Sequence, residues 1–224
     1  MATRREFIER SAAGMAGLGA TLPLDLSHLT GVEPASPVQD ESWNLAWPTR
    51  ITGRHRALFD VAEPESGYGV WRASAWAGQY INVLKVKPTE ISTVIVLRHN
   101  GIVLALQNAF WDKYGLGKAK SVTHPLTQEP IARNPALLDE KDGIPAPFNE
   151  AGLGKQIARG AIVLACNLAL QDCIELVKKT SGVSDEAARK EALAALVPGV
   201  ILQPSGVFAA VRAQEAGCAY VKAS

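Results

Sequence analysis

Two almost continuous apolar runs constrain the fold more than any other feature of the sequence. ISTVIVLRH spans residues 91–99 and GAIVLACN spans residues 160–167. Runs of this length, rich in β-branched and aliphatic residues, are typical of strands that are buried on both faces. Such strands occur in sheets that carry helices on both sides, so the two runs predict a layered α/β domain.

Helical stretches separate these runs from further strands along the chain. Apolar periodicity and cap residues predict helices at residues 71–86, 101–117, 168–182, 184–197 and 207–217. More short strands are predicted at residues 55–61, 200–206 and 218–223. Strands that alternate with helices in this way predict a mostly parallel central sheet in a three-layer domain.

Composition limits the classes of function that the chain can serve. Of its 224 residues, 47% are hydrophobic, which is enough to build the core of one large domain. The formal net charge of +1 implies no bulk attraction to nucleic acid or to anionic membranes, and nucleic acid is not predicted as a partner. Three cysteines are an odd number in a chain too long to need stapling, so no disulfide scaffold is expected.

The first residues indicate export. MATRREFIERSAAGMAGLGATLPL carries Arg4 and Arg5, then Phe7, then a weakly apolar stretch rich in Ala and Gly. It resembles a twin-arginine signal, which we assign to residues 1–30 and which implies a periplasmic or other extracytoplasmic location; a basic N-terminus arising by chance is the alternative. The apolar part is shorter than the roughly 20 residues of a membrane span. No small-x-small cleavage site follows it, so cleavage and retention as a membrane tether both stay open.

Residues 31–53 are predicted to be a linker, and residues 54–224 are predicted to be the folded domain. The linker is rich in Pro, Ser, Gly and Asp and lacks sustained periodicity, and its Trp43 and Trp47 are expected to dock on the domain. Inside the domain, residues 118–150 hold several prolines and little periodicity. A loop of this length in a compact domain is usually functional or part of an interface.

Chemically useful side chains follow the predicted strands at their carboxyl ends. His99 and Asn100 end the second strand, Cys166 and Asn167 end the third, and Ser205 follows the fourth. Ligands of open parallel sheets bind outside the carboxyl ends of the strands. We therefore predict a site at this edge in which Cys166 and His99 are catalytic. The ligand-binding residues of this site are predicted to be Asn100, Asn167 and Ser205.

Three of these side chains also have a plainer interpretation. Cys166 stands just before a predicted helix, whose free N–H groups and dipole favour a thiolate. A free cysteine at the end of a buried strand is, however, often only a small core residue. His99 is either a base or charge partner for the thiolate, or a ring held by loop backbone. Ser205 either binds an anion at the N-terminus of the next helix or simply caps that helix.

The sequence gives little support for a functional role of the other two cysteines or for a metal site. Cys173 lies on an apolar helix face and Cys218 opens the last strand, so both are expected in the core. A metal site formed by Cys166, His99 and His124 has no recognisable ligand spacing, and no metal or other cofactor is predicted. The sequence also lacks the GxSxG motif of serine hydrolases.

Two aromatic residues in FWDKYGLG have two interpretations. Trp111 and Tyr114 lie at helical spacing, which is typical of core or interface aromatics. They could also form the wall of a pocket beside His99, and we include them among the predicted ligand-binding residues.

Several segments share their order and local texture with one known family. They are RHNG, FWDKYGLG, GAIVLACNLAL and LVPGVILQPSGVFAAVRAQEAGCAY, within a stretch from about Arg54 to Val221. These segments resemble the DsrE/DsrF-like family, and especially its exported members with a twin-arginine signal. The resemblance implies a flavodoxin-like fold and assembly as a trimer or hexamer. Some members relay sulfur as a cysteine persulfide, and Cys166 matches the place of their cysteine after a central strand. The export signal and the long loop depart from the cytosolic sulfur-relay members.

The sequence leaves three functions open. The first, implied by the resemblance, is the handling of sulfane sulfur by Cys166 as a persulfide carrier or sulfurtransferase, with a sulfur-donor or acceptor protein or a small sulfur compound as partner. The second is a non-catalytic, homo-oligomeric module that binds a ligand or partner through residues 118–150, Trp111 and Tyr114, with Cys166 only packing in the core. The third is a metal or haem site that uses His99.

Overall fold

Five parallel strands form the central sheet of the computed structural model, which describes residues 43–146 and 148–224. The order across the sheet is β4-β3-β2-β1-β5, and every neighbouring pair is parallel. The predicted strands are thus confirmed, whereas the predicted export signal and residues 31–42 of the predicted linker lie outside the described residues. The strands are β1 His55–Val61, β2 Ile91–Leu97, β3 Ile162–Cys166, β4 Ile201–Gln203 and β5 Ala219–Lys222.

Helices lie on both sides of this sheet, which confirms the three-layer, flavodoxin-like α/β domain. A 3-10 helix, His99–Ala105, follows β2. Within the described part of the chain, every helix falls short of the length and apolarity that a membrane crossing requires. The α-helices are α1 Tyr68–Leu84, α2 Asn108–Tyr114, α3 Leu116–Ala119, α4 Leu153–Ala158, α5 Asn167–Ser181, α6 Asp185–Ala194 and α7 Gly206–Glu215.

The sheet divides the apolar core into two layers, because successive side chains of a strand point to opposite faces. Phe59 and Ile95 belong to the layer that also contains residues of α1, α2 and α5. Leu58 and Val96 belong to the layer that contains Trp47 and residues of α7. Because both faces are covered, the strands carry apolar residues at nearly every position, which is the pattern visible in the sequence.

The segment before β1 packs against the sheet. Trp47 is buried, and its indole N–H donates to the Oε1 atom of Gln203 at 2.9 Å. The side-chain amide of Gln203, also buried, donates to the carbonyl oxygen of Asn44 at 3.0 Å. These bonds fix the chain between Asn44 and Trp47 beside the carboxyl end of β4.

The single helix predicted at residues 101–117 is wrong. The chain forms the 3-10 helix, then an extended residue at Gln107, and then the short helices α2 and α3. The side-chain amide of Asn134 donates to the carbonyl oxygens of Leu104 and Leu106 at 2.9 and 2.7 Å. A continuous α-helix would need those carbonyls for its own ladder, so a residue far along the chain interrupts it.

Candidate functional site

The predicted site residues lie where the parallel strands end together. Leu97 of β2 pairs with Ala165 of β3, and Cys166 pairs with Gln203 of β4. The residues that follow these positions therefore emerge at one edge of the sheet. How close their side chains come depends on the direction that each connecting loop takes.

Cys166 forms the N-cap of α5, a helix of 15 residues. Its Sγ atom accepts a hydrogen bond from the backbone N–H of Ala169 at 3.4 Å. The sulfur thus lies at the N-terminal end of this helix, within reach of a backbone N–H donor. The residue is only 6% exposed and belongs to the larger apolar core.

Asn167, the residue after Cys166, contacts a cationic side chain. The side-chain oxygen of Asn167, a buried residue, accepts from the guanidinium of Arg189 on α6 at 3.2 and 3.3 Å. The Arg189 guanidinium therefore contacts the residue that follows Cys166. Asn167 positions this guanidinium through its side-chain oxygen.

The structure places His99 beside Glu63. The Nε2 atom of His99 lies 3.6 Å from the Oε1 atom of Glu63, and its side chain is 65% exposed. Asn100 joins the same group, since its amide donates to Glu63 at 3.2 Å and its side-chain oxygen accepts from Lys120 at 2.7 Å. Among the described residues, no hydrogen bond links His99 to Cys166.

Backbone contacts explain why the loop after β2 leans toward β1. The N–H of Arg98 donates to the carbonyl oxygen of Val61 at 3.1 Å, and that of Gly101 donates to Ala62 at 2.7 Å. A Cβ atom on Gly101 would lie 2.4 Å from the Val61 carbonyl oxygen, so only glycine permits this approach. His99 itself has a positive φ of 48°. The loop therefore presents His99 on the β1 side of β2, whereas Cys166 ends β3 on the other side.

Ser205 serves as a helix cap. Its Oγ atom accepts from the backbone N–H of Phe208 at 3.0 Å, and it forms the N-cap of α7. The neighbouring Gly206 packs against Arg98 so closely that a Cβ atom there would lie 2.4 Å from the Arg98 Cβ atom. This geometry corresponds to the capping interpretation of Ser205.

A buried ion pair near this edge was not found from the sequence. Asp60 is 3% exposed and receives hydrogen bonds from the Nε and Nη2 atoms of Arg98 at 2.6 and 2.7 Å. The hydroxyl group of Tyr220 donates to the same carboxylate at 2.6 Å. Burial by itself would raise the pKa of Asp60, but the hydrogen bonds from Arg98 and Tyr220 outweigh it and hold the pKa below its ordinary value. The available signal was an acid inside the apolar run HRALFDV.

Trp111 and Tyr114 are buried in the core. The indole N–H of Trp111 donates to the carbonyl oxygen of Val103 at 2.7 Å, which helps to hold the 3-10 helix. The hydroxyl group of Tyr114 donates to the carboxylate of Glu191 on α6. Both residues therefore join elements of the core.

The two other thiols are poor nucleophiles. Burial raises the pKa of Cys173 to about 12, with the charge of Asp172 as a further cause. Burial also raises the pKa of Cys218. Since the thiolate is the reactive form, neither sulfur is activated at neutral pH.

Two cavities border α1, and neither is lined by Cys166 or His99. The larger, of about 570 Å³, is an open groove between α1 and the region of Arg159. The smaller, of about 230 Å³, lies beneath residues 118–150, and we call it the loop cavity. Trp71 and Phe148 line both, with ring centroids 5.9 Å apart. Trp71 and Phe148 thus form an aromatic wall that the two cavities share.

No group of three or more His, Cys, Asp or Glu side chains within residues 43–146 and 148–224 could hold a metal ion. His124, considered above as a metal ligand, uses its ring to fix its own loop, accepting from the N–H groups of Leu126 and Thr127. Comparisons of the chain with protein-family models, with curated proteins and with solved structures find no match.

Proposed function

We propose that the protein is an exported DsrE-like carrier that holds sulfane sulfur on Cys166. The observation that carries this proposal is the position of the Cys166 sulfur at the N-terminus of α5, with the Ala169 N–H donating to it at 3.4 Å. In this proposal Cys166 supplies the thiolate that sulfur transfer needs. The resemblance of residues 160–170 and their surroundings to persulfide-forming members of the family supports the same conclusion.

The transfer step needs no external oxidant when the donor already carries sulfane sulfur. With thiosulfate, the Cys166 thiolate attacks the outer sulfur, an S–S bond forms on Cys166, and the S–S bond of thiosulfate breaks. Sulfite leaves with the bonding electron pair. An acceptor thiolate removes the sulfur by the same type of exchange. The persulfide formed in this way lies at the N-terminus of α5, whose dipole favours an anionic group.

Mass spectrometry after incubation with thiosulfate or polysulfide tests this proposal. The peptide that contains Cys166 is expected to gain one sulfur atom, which a reductant then removes. Cys166→Ser is the matched control because serine keeps the N-cap of α5 while it removes the thiol. An unmodified Cys166 in the folded protein, together with a Cys166→Ser profile equal to that of the unaltered protein, would contradict the proposal.

A non-catalytic binding module is the second candidate. It is favoured by the 6% exposure of Cys166 and by the aromatic wall of Trp71 and Phe148 away from that residue. In this case Cys166 only packs in the core and resists thiol reagents until the protein is denatured. Native and denatured labelling of the same sample separates the two candidates.

Export and assembly belong to the same proposal. Residues 1–30 would direct the folded protein out of the cytoplasm, so replacing Arg4 and Arg5 with lysine is expected to retain it there in cell fractionation. The resemblance also implies a homo-oligomer. Val83 and Leu84 at the end of α1 are 72% and 60% exposed and supply apolar surface for contacts between copies. Light scattering after gel filtration should then report a mass that is a multiple of the monomer's.

A further inference from the structure

The loop cavity is apolar and is already formed without a ligand. Val70, Leu138 and Ile144 are buried around it. Three larger apolar side chains at the cavity remain open to solvent, with exposures of 38%, 51% and 43% for Trp71, Leu126 and Phe148. Covering this apolar surface would be favourable, because removing apolar area from water contributes about 25 cal/mol per Å².

The hydroxyl groups of Ser66 and Tyr68 in the cavity wall already have partners within the protein. The Ser66 and Thr123 hydroxyl oxygens lie 3.0 Å apart, and the Tyr68 hydroxyl donates to the carbonyl oxygen of Pro125 at 2.7 Å. Among the described residues, no acidic or basic side chain lines the loop cavity. A charged ligand would therefore lose its hydration without gaining a counter-ion, which is unfavourable. The wall selects for an uncharged molecule.

His124 holds the part of the loop that carries Leu126 over the cavity. Its Nδ1 atom accepts from the backbone N–H groups of Leu126 and Thr127, both at 3.3 Å, and its Nε2 atom is 3.2 Å from the carbonyl oxygen of Asp142. One neutral tautomer, with the proton on Nε2, makes all three contacts. The wall is thus fixed in place before any ligand binds, which lowers the cost of binding.

We propose that the loop cavity binds a small, uncharged aromatic molecule similar in size to indole or naphthalene. A dry cavity of roughly 150 Å³ lined by aliphatic and aromatic side chains holds benzene, and the loop cavity has about 230 Å³. The Trp71 and Phe148 rings, inclined by 31°, offer aromatic contacts to such a ligand. This site is independent of sulfur transfer, since Cys166 does not line the cavity.

Fluorine NMR of 5-fluoroindole tests the proposal with the full-length protein. Saturable line broadening is expected with the unaltered protein and with Cys166→Ser. The carboxylate analogue, 5-fluoroindole-2-carboxylate, is expected to bind at least about tenfold more weakly because of its charge. Absence of saturable 5-fluoroindole binding, or equal binding of the carboxylate, would overturn the assignment.

Two glycines of the same segment supply a matched pair of variants. Gly152 lines the cavity with an ordinary φ of −57°, and a Cβ atom there would have only normal contacts, with the carbonyl oxygens of Leu138 and Ala136 at 3.6 and 3.7 Å. Gly154 does not line the cavity and has open space around its Cβ position. Gly152→Leu should therefore fill the cavity and weaken binding about tenfold or more, whereas Gly154→Leu should leave it unchanged.

Circular dichroism first establishes that both leucine variants are folded. If Gly152→Leu does not fold, Trp71→Ala replaces it, and it is expected to weaken 5-fluoroindole binding by about tenfold through loss of the aromatic wall. Equal binding by a folded cavity variant and the unaltered protein would place the ligand elsewhere and overturn the proposal.

Discussion

Asp60 connects three strands through one buried carboxylate. It lies on β1, Arg98 follows β2, and Tyr220 lies on β5. The folded state holds the pKa of this carboxyl below its ordinary value, with burial opposed and outweighed by the hydrogen bonds from Arg98 and Tyr220. A carboxyl with a lowered folded-state pKa stabilises the fold above its unfolded-state pKa, and this stabilisation is lost as the pH falls through the folded-state value.

Asp60→Asn should therefore lower the free energy of unfolding at neutral pH. It should also make that free energy less dependent on pH in the acid range. The expected loss is about 3 kcal/mol at pH 7, because the substitution leaves the Arg98 guanidinium without its partner. The unaltered protein should lose this contribution below about pH 4, while the variant should show a shallower decline. Urea unfolding at a series of pH values measures both effects, and parallel pH curves for the two proteins would contradict the account.

Gly101 offers a second prediction at the scale of one residue. Gly101→Ala places a Cβ atom 2.4 Å from a backbone oxygen of Val61 that cannot move freely. We expect a loss of about 1–3 kcal/mol in the free energy of unfolding. Gly78→Ala on α1 is the matched control, since its Cβ position has no atom within 4 Å, and it should stabilise by about 0.5–1 kcal/mol. An unchanged free energy of unfolding for Gly101→Ala would mean that the loop after β2 can shift, and would contradict this prediction.

Asn134 shows how a distant loop shapes the elements beside the site. Its amide holds the Leu104 and Leu106 carbonyls, and its side-chain oxygen accepts from the N–H of Ala136 at 2.9 Å. The apolar spacing of residues 101–117 is typical of one helix, because local spacing carries no information about hydrogen bonds from a residue as distant as Asn134. The same contacts set the position of the 3-10 helix that begins at His99.

Asn134→Ala is expected to destabilise the protein by about 2–4 kcal/mol, because buried carbonyls lose their donors. Asn82→Ala, at an exposed position on α1, is the control and should change stability by less than about 0.5 kcal/mol. Thermal unfolding of the two variants provides the comparison. Similar melting temperatures would show that Asn134 does not interrupt the helix.

At the scale of the whole molecule, the strands were the most predictable feature. A strand covered on both faces needs apolar residues at nearly every position, and the segments ISTVIVL and IVLAC show this pattern. The placement of site residues was less predictable, because it depends on which way each loop turns. The backbone hydrogen bonds from Arg98 and Gly101 to Val61 and Ala62 place His99 next to Glu63. The local sequence around His99 gives no indication of these bonds.

The reactivity of the three thiols in the folded protein distinguishes a sulfur-carrying Cys166 from one that only packs in the core. Labelling with iodoacetamide at neutral pH, followed by peptide mass spectrometry, gives a rate for each cysteine. Cys166 is expected to react in the native state, while Cys173, with its pKa raised to about 12 by burial, and Cys218 are expected to react only after denaturation. Protection of Cys166 equal to that of Cys173 would contradict a reactive role for this residue and would leave it as a helix cap in the core.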